Sequence, residues 1–469
     1  MVPTPLRGGF LLSFVPALFV LWTLALSIQA RPVRPAPRVI APRPAIGETA
    51  ITFSNQVVRI FQAHCQTCHR TGGIAPFSLV SYGDAYENRD RIVEQTSLRK
   101  MPPWHVDSTC TAYEDDPSLT AQEIEILSRW VAAGAPQGDL RDLPPERTFP
   151  DGWELGPPDQ VVTMSEPMTP DFGSGDVYRC FVLPTGLSSD KYVAAVEVVP
   201  GSRRMVHHVI LFVDSSGTAA RQLDARDPGP GYTCFGGPGF DVSLAASTLG
   251  GWAPGNTPHR LPDGVGMPLP AGSDVVMQVH YSSRSGVREA DTSSVGLYFA
   301  RGTVRKRLLV APVINQSFTI PAGAADHEVT ASIPFVPFAV HALAIIPHMH
   351  LLGRQMTVTV TRPDGSTQCL VRVPDWDFHW QATYFYETPI AVPFGSRIDL
   401  SARYDNSSAN PENPNSPPRD VRWGENTTDE MCIAFLGVTL DEENLSTSSE
   451  DAPLLDWDGL WRGRGLGLR

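Results

Sequence analysis

The sequence predicts a multi-domain chain: a small all-α domain followed by two all-β sandwiches. Three observations carry that prediction. The 469 residues are enough for two to four separate cores. The apolar period is helical before about residue 140 and alternating after about residue 160. The 44 prolines and 39 glycines imply many turns, which suits sandwiches better than bundles. With 42% apolar and 19% charged residues the composition is that of a globular protein. A formal charge of −13 argues against a nucleic-acid partner, since phosphate binding needs clustered Lys and Arg.

Residues 1–30 read as a signal peptide or a membrane anchor. Arg7 precedes an apolar run from Gly9 to Leu26, Pro16 interrupts it, and Ala25, Ser27 and Ala30 offer small residues for cleavage. Either reading exports the bulk of the chain, to the periplasm or the extracellular space, with residues 9–26 as the anchor if they are retained. Residues 31–48 carry five prolines and four arginines and form an extended linker. The α domain spans 49–140. Val57, Val58, Ile60 and Phe61 make an apolar stripe running into Cys65. Near its end Thr120 and Glu123 form a capping box for a helix carrying Ile124, Leu127, Trp130 and Val131, which Gly134 stops. Prolines and charges mark a second linker at 141–160. Beyond it, Val193 to Val199, Val206 to Val213, Val275 to Tyr281, Val340 to Ile346, Met356 to Val360 and Ile433 to Val438 read as strands. About 280 residues of such pattern exceed one small sandwich. The division falls into 161–303 and 304–442, with an acidic, Ser/Thr-rich tail at 443–469.

Cys65-Gln-Thr-Cys68-His69 has the spacing of a covalent c-type haem site. Two thiols form thioethers to the haem vinyl groups and the adjacent His69 supplies the proximal ligand. Met101, about thirty residues on and followed by Pro102 and Pro103, is the expected opposite ligand; a thioether raises the potential and favours electron transfer. His64 and His105 read as packing or surface histidines. Five cysteines remain: Cys110, Cys180, Cys234, Cys369 and Cys432. In an exported chain their default is a disulfide, and an odd count leaves at least one unpaired within this set.

His348-Met349-His350 falls where a strand is expected, and two imidazoles two residues apart then face one way. His207-His208 is harder, because neighbours on a regular strand point to opposite faces and joint ligation requires a strand end or bulge. His280 and Met431 alone would read as core residues.

Val206-His207-His208-Val209-Ile210-Leu211-Phe212, Met277-Gln278-Val279-His280-Tyr281, Pro347-His348-Met349-His350-Leu351-Leu352-Gly353 and Asp429-Glu430-Met431-Cys432 occur in the order seen in copper type II, ascorbate-dependent monooxygenases. The stretch from Trp252 through Arg260-Leu261-Pro262 and Gly264-Val265-Gly266 to His280 is also similar. The resemblance covers about 270 residues, from Tyr178 to Leu440, and includes every ligand position of the family. It implies two jelly-roll-like sandwiches, each holding one copper ion, separated by a solvent-filled cleft; the haem motif before them makes the α domain cytochrome c-like. His207, His208 and His280 match the electron-transfer copper; His348, His350 and Met431 match the catalytic copper that meets O2 and substrate. A thioether suits Cu(I), and three protein ligands leave a position open. Tyr178 and Gln278 match positions between the coppers and are electron-transfer candidates. Cys180 and Cys234 match a disulfide pair of the family. Cys432 matches a bridged position whose family partner is absent here; Cys369 could substitute, leaving Cys110 as the unpaired thiol.

The sequence departs from the family where peptidylglycine-type enzymes grip a substrate carboxylate. Ile346, Ile433 and Phe435 stand at those positions, and an apolar trio cannot pair a carboxylate. The expected substrate is therefore small and neutral or apolar. The expected activity is C–H hydroxylation with O2, with electrons passing from an external donor through haem to the three-histidine copper and then to the second copper. A non-catalytic haem–copper electron-transfer or sensor protein is the alternative.

Overall fold

The computed structural model describes residues 50–150, 152–241, 248–254, 256–283 and 286–446. The expected signal segment, the first linker and the tail beyond residue 446 lie outside them. No helix among the described residues is long and apolar enough to cross a membrane.

Four helices open the described chain: α1 (Val58–His64), α2 (Tyr82–Glu87), α3 (Arg89–Ser97) and α4 (Ala121–Ala132). Thr120 and Glu123 cap α4 reciprocally, and Gly134, at φ 88°, ends it in a conformation that costs glycine nothing. Phe61, Leu127 and Trp130 are completely buried in the small core these helices share. Each such side chain contributes about 1.5–3 kcal/mol of transfer free energy.

Two β-sandwiches follow. In the first, one sheet has the order β1 (Gln160–Thr163), β9 (Ser294–Phe299), β3 (Lys191–Val199), β7 (Val265–Leu269) and β10 (Lys306–Arg307). Its partner sheet has the order β5 (Tyr232–Thr233), β2 (Val177–Pro184), β8 (Asp274–Tyr281), β4 (Val206–Asp214) and β6 (Thr248–Trp252). In the second sandwich, β11 (Leu309–Asn315), β20 (Cys432–Leu440), β14 (Val340–His348) and β17 (Tyr384–Val392) form one sheet. The other is β13 (His327–Ile333), β18 (Arg397–Tyr404), β15 (Gly353–Thr361) and β16 (Thr367–Val373). All six strands expected from alternation are present.

Alternation decides which residues face outward. On β8, Val275, Met277, Val279 and Tyr281 enter the sandwich core, so Val276, Gln278 and His280 lie on the opposite face. There Val276 packs with Cys180, Phe212 and Ala220 of a short helix, α5 (Ala219–Asp224). On β20 the core takes Cys432, Ala434, Leu436 and Val438, leaving Ile433 and Phe435 outward. The outer face of this second sheet meets the first sandwich, whose core accepts Leu343 and packs against Leu308 and Phe385.

The helical region is not a detached unit. Its segment from Trp104 to Tyr113 packs into the second sandwich, where Val106 and Tyr113 join the core and Cys110 is bonded to Cys369. Tyr113 bridges to Tyr386 and donates its hydroxyl to the Leu370 carbonyl. The expected linker at 141–160 is also docked: Phe149 lies under Arg70 and Arg147, and the backbone N–H groups of Glu154 and Leu155 donate to Glu197.

The cysteine pairing corrects one expectation. Cys180 is bonded to Cys234, but Cys110 is not the unpaired thiol and Cys369 does not bridge to Cys432. Cys432 points into the core, with its sulfur 4.0 Å from the carbonyl of Val329 on edge strand β13. Cys369 sits on β16, the opposite edge of that sheet. Three strand spacings of about 4.8 Å separate those edges, well beyond disulfide reach. Two disulfides suit an oxidising compartment.

Candidate metal centres

The first histidine set forms where β4 and β8 pair. His208 stands opposite His280, while the register shifts between Val206 and His208, leaving His207 as the extra residue. That irregularity lets adjacent histidines turn to one place, as a bulge does. Each of His207, His208 and His280 offers a ring nitrogen, and these atoms lie within 4.8 Å of one another. His207 Nε2 and His280 Nδ1 are buried with no hydrogen-bond partner. Burial, then the neighbouring His280, pushes His207 down to about 3, and His208 is driven well below its ordinary value in the same way. Three imidazole nitrogens gathered this closely, with two buried nitrogens lacking a partner, fit a bound copper ion.

Asp176 orients this set. One oxygen pairs with His280 Nε2 at 2.9 Å and accepts from Thr427 Oγ1 at 2.8 Å, while the other accepts from Ser283. Burial opposes its charge, but these hydrogen bonds hold the carboxyl well below the usual range. Tyr178 stacks on His280 with centroids 4.2 Å apart and reaches across to the Glu425 carbonyl at 3.3 Å. Gln278 lies on the same strand face as His280, and its amide donates to the Cys234 carbonyl at 2.7 Å. Tyr178 therefore spans the two sandwiches, whereas the Gln278 amide is tied down within the first.

The second set forms at the end of β14. His348 is the last strand residue and His350 lies in the following turn, so the turn, not strand alternation, brings their rings to 5.2 Å. His348 Nδ1 meets Gln381 Oε1 at 2.8 Å, and His350 Nδ1 meets the Asp429 carbonyl at 3.1 Å. Both Nδ1 atoms being engaged leaves Nε2 of each ring for a metal. Burial pushes His348 down to about 4 and His350 to about 3. Met431, nearly buried, precedes β20, and its carbonyl accepts from Tyr404 at 2.7 Å. Two neutral imidazoles and a thioether fit a copper ion.

Glu430 knits this set together. Fully buried, it accepts from the backbone N–H groups of His350 at 2.9 Å, Leu352 at 2.6 Å and Met431 at 3.1 Å. Burial pushes its carboxyl up to about 8, against those donors and Gly353 N–H. Gly353 has to be glycine here, since a Cβ would come within 2.8 Å of Met349 and 2.9 Å of Trp376.

Register gathers an apolar floor beside His348. Ile433 pairs with His348 and Ile314, and Phe435 pairs with Ile346 and Pro312. All share the outward face of β11, β20 and β14. One side chain touches a histidine of each set. Phe378 stacks on His207 at 4.8 Å and stands edge-on to His350 at 5.9 Å, so at this point the sets are one ring apart.

At the Cys65–His69 motif the two sulfurs are not bonded to each other. His69 Nδ1 meets the Phe77 carbonyl at 3.0 Å, leaving Nε2 available to iron. Two free thiols and a histidine oriented this way fit a covalent haem. Met101 is 41% exposed. Of the rival histidines, His64 engages Pro117 and Glu123 through its two nitrogens. His105 binds the Asp375 carbonyl through Nδ1, while its Nε2 is buried without a partner.

Sequence reading missed Asp176, Trp376, Phe378, Gln381 and the clamping role of Glu430. Only Glu430 carried a signal, a lone acid beside a ligand methionine; the others lie far in sequence from what they touch.

Residues 302–443 match the family described as copper type II ascorbate-dependent monooxygenase, C-terminal domain. The chain is 24% identical over 353 residues to DBH-like monooxygenase protein 1 of Mus musculus, covering 69% of this chain and 52% of that protein. It is 24% identical over 286 residues to the Homo sapiens protein of the same name (55% and 44% covered). It is 22% identical over 309 residues to dopamine beta-hydroxylase of Equus caballus (61% and 45% covered). The chain spans about half the length of the curated relatives it matches. Likeness to solved structures is slight: the VP2 subviral particle of infectious bursal disease virus gives a TM-score of 0.18 at 11% identity, covering 62% of this chain and 74% of that one. Residues 302–443 are thus similar to the C-terminal domain of copper type II, ascorbate-dependent monooxygenases, and the chain is similar at 22–24% identity to DBH-like monooxygenases and dopamine beta-hydroxylase.

Proposed function

We propose that this chain is an exported, copper-dependent monooxygenase that hydroxylates a C–H bond of a small neutral or apolar molecule. His207, His208 and His280 would hold one copper, and His348, His350 and Met431 the other. The observation that carries the reading is the pair of neighbouring histidine sets, the first with three ring nitrogens within 4.8 Å of one another and two buried nitrogens lacking a partner. Copper bound there supplies one-electron transfer and O2 activation.

The protein's own part is orientation and exclusion of water. Asp176 and Tyr178 fix the His280 ring, and Gln381 and the Asp429 carbonyl fix the tautomers of His348 and His350. Glu430 draws the turn carrying His350 onto the segment carrying Met431, so both ligands move as one body. The floor of Ile346, Ile433 and Phe435 desolvates an apolar substrate beside His348 at little cost, whereas a carboxylate there would be buried unpaired. The overall reaction consumes O2, two electrons and two protons, and yields one hydroxyl group and one water.

The electrons come from an external reductant, and the helical region is the proposed relay. Cys65, Cys68, His69 and Met101 would hold a covalent haem. Two coppers per chain by metal analysis, with O2 uptake matched to hydroxylated product, is the expected result. Loss of turnover in Met431→Ala with the first copper retained completes it. Tight copper binding without any O2 uptake on reduction would overturn the enzymatic reading. A haem absorbance that survives denaturation is expected for the relay, and its absence would remove that part alone.

A further inference from the structure

Residues 104–114 leave the helical region and run along the second sandwich, bonding to an edge strand of each of its sheets. β16 and β17 are outermost in their sheets. Asp107 donates its backbone N–H to the Arg372 carbonyl of β16 at 2.8 Å, and its carboxylate pairs with the Arg372 guanidinium at 3.1 Å. Cys110 is bonded to Cys369 on the same strand. On β17, the Phe385 carbonyl accepts from Glu114 N–H at 2.8 Å, and Glu387 N–H donates to Ala112 at 3.3 Å. Strand edges present unpaired backbone groups, so one segment bonding to both edges closes the sandwich on this side.

The loop that joins β16 to β17 is therefore flanked by two strands held by this segment, and that loop serves the second histidine set. His105 Nδ1 meets the Asp375 carbonyl at 3.1 Å. A carbonyl only accepts, so Nδ1 carries the proton and donates it. The next residue, Trp376, is buried and donates its indole N–H to the His350 carbonyl at 3.1 Å. Gln381, further along the loop, meets His348 Nδ1 at 2.8 Å. Both histidines are thus held from one loop, and His105 reaches that loop from the helical region, one residue from the indole that holds His350. A site is rigid when the residues that orient it are themselves locked in place.

We propose that residues 104–114 brace the second histidine set from the helical region, with His105 as a positioning residue that acts on His350 through Asp375 and Trp376. In copper-free protein labelled at the histidine ring carbons, His105→Ala shifts the His350 signals, while His280 and His327 stay in place. His105→Asn, whose amide donates from the position of Nδ1, keeps His350 as in the wild type. Trp376→Phe removes the indole N–H and shifts His350 as well. The double variant moves it no further than Trp376→Phe alone, because both residues act along one path. A second readout rests on the copper reading above. By competitive chelator titration, His105→Ala weakens copper binding at the second set about 2- to 10-fold, the worth of one hydrogen bond, and leaves the first set unchanged. Unmoved His350 signals in His105→Ala, additive shifts in the double variant, or equal weakening of both sets overturns the proposal. Shifted His350 signals in a protein that takes up no copper would sink the copper reading and uphold the brace. Circular dichroism and an intact Cys110–Cys369 bond check the fold of each variant; should Trp376→Phe not fold, the Ala and Asn variants of His105 decide alone.

Discussion

The two histidine sets solve one problem in different ways. The first is built into a sheet: cross-strand pairing sets His208 against His280, and one irregular residue turns His207 to join them. The second is built at a sheet's end, from a turn and a separate segment clamped by the buried Glu430. A strand-built site inherits its geometry from many backbone hydrogen bonds. A turn-built site depends on a few, so one side chain can decide whether it exists.

The largest effect expected is one both regions share. His207, His208, His348 and His350 all have native pKa values below the ordinary 6.5 because they are buried. Each takes up a proton on unfolding, so its contribution is fully present above about pH 6.5 and is lost as pH falls through the native values. Copper-free protein should therefore lose thermal stability steadily from pH 6.5 down toward 4. Glu430 has the opposite sign, since its raised value costs stability as pH climbs from its ordinary 4.5 to about 8. Scanning calorimetry over pH 4–9 checks both slopes; a flat acid limb would contradict neutral buried histidines.

Glu430→Ala should come next. Several buried backbone N–H groups lose their acceptor, for a cost of about 3 kcal/mol or more. The variant should lose the second copper and keep the first, by metal analysis and denaturant unfolding. Equal loss of both would show that the sets are not separately built. Asp176→Asn is the reverse experiment: copper affinity at the first set should drop about 10- to 100-fold with the second nearly unchanged, read by competitive chelator titration. Gln381→Leu is the mildest, because His350 keeps its own anchor; about tenfold weaker binding at the second set is the upper bound expected.

The contrast also explains what could be read in advance. The six strands, the α4 capping box and the glycine that ends α4 were legible because each depends on residues within a few positions of one another. The HxH pair was legible as a candidate metal-binding motif, but for a reason that did not hold, since His350 leaves the strand before it turns toward His348. The bulge at His207 left no local trace: Val-His-His-Val alternates no differently from a regular strand. Asp176, 104 residues from His280 and 251 from Thr427, could not be linked to either by spacing.

The cysteines show the same division. Their number and the expected export of the chain pointed to disulfides, yet the Cys110–Cys369 pair joins residues 259 positions apart. It could be seen only once the Trp104–Tyr113 segment was found packed on the second sandwich. By itself the sequence determined the element types, the candidate metal-binding residues and the apolar character of the positions beside His348, because these are properties of local pattern and side-chain chemistry. Tertiary structure alone decided which cysteines meet, which carboxylate serves which histidine, and that one phenylalanine ring stands between the two sets. Those depend on how distant segments pack, and packing is a property of the whole chain.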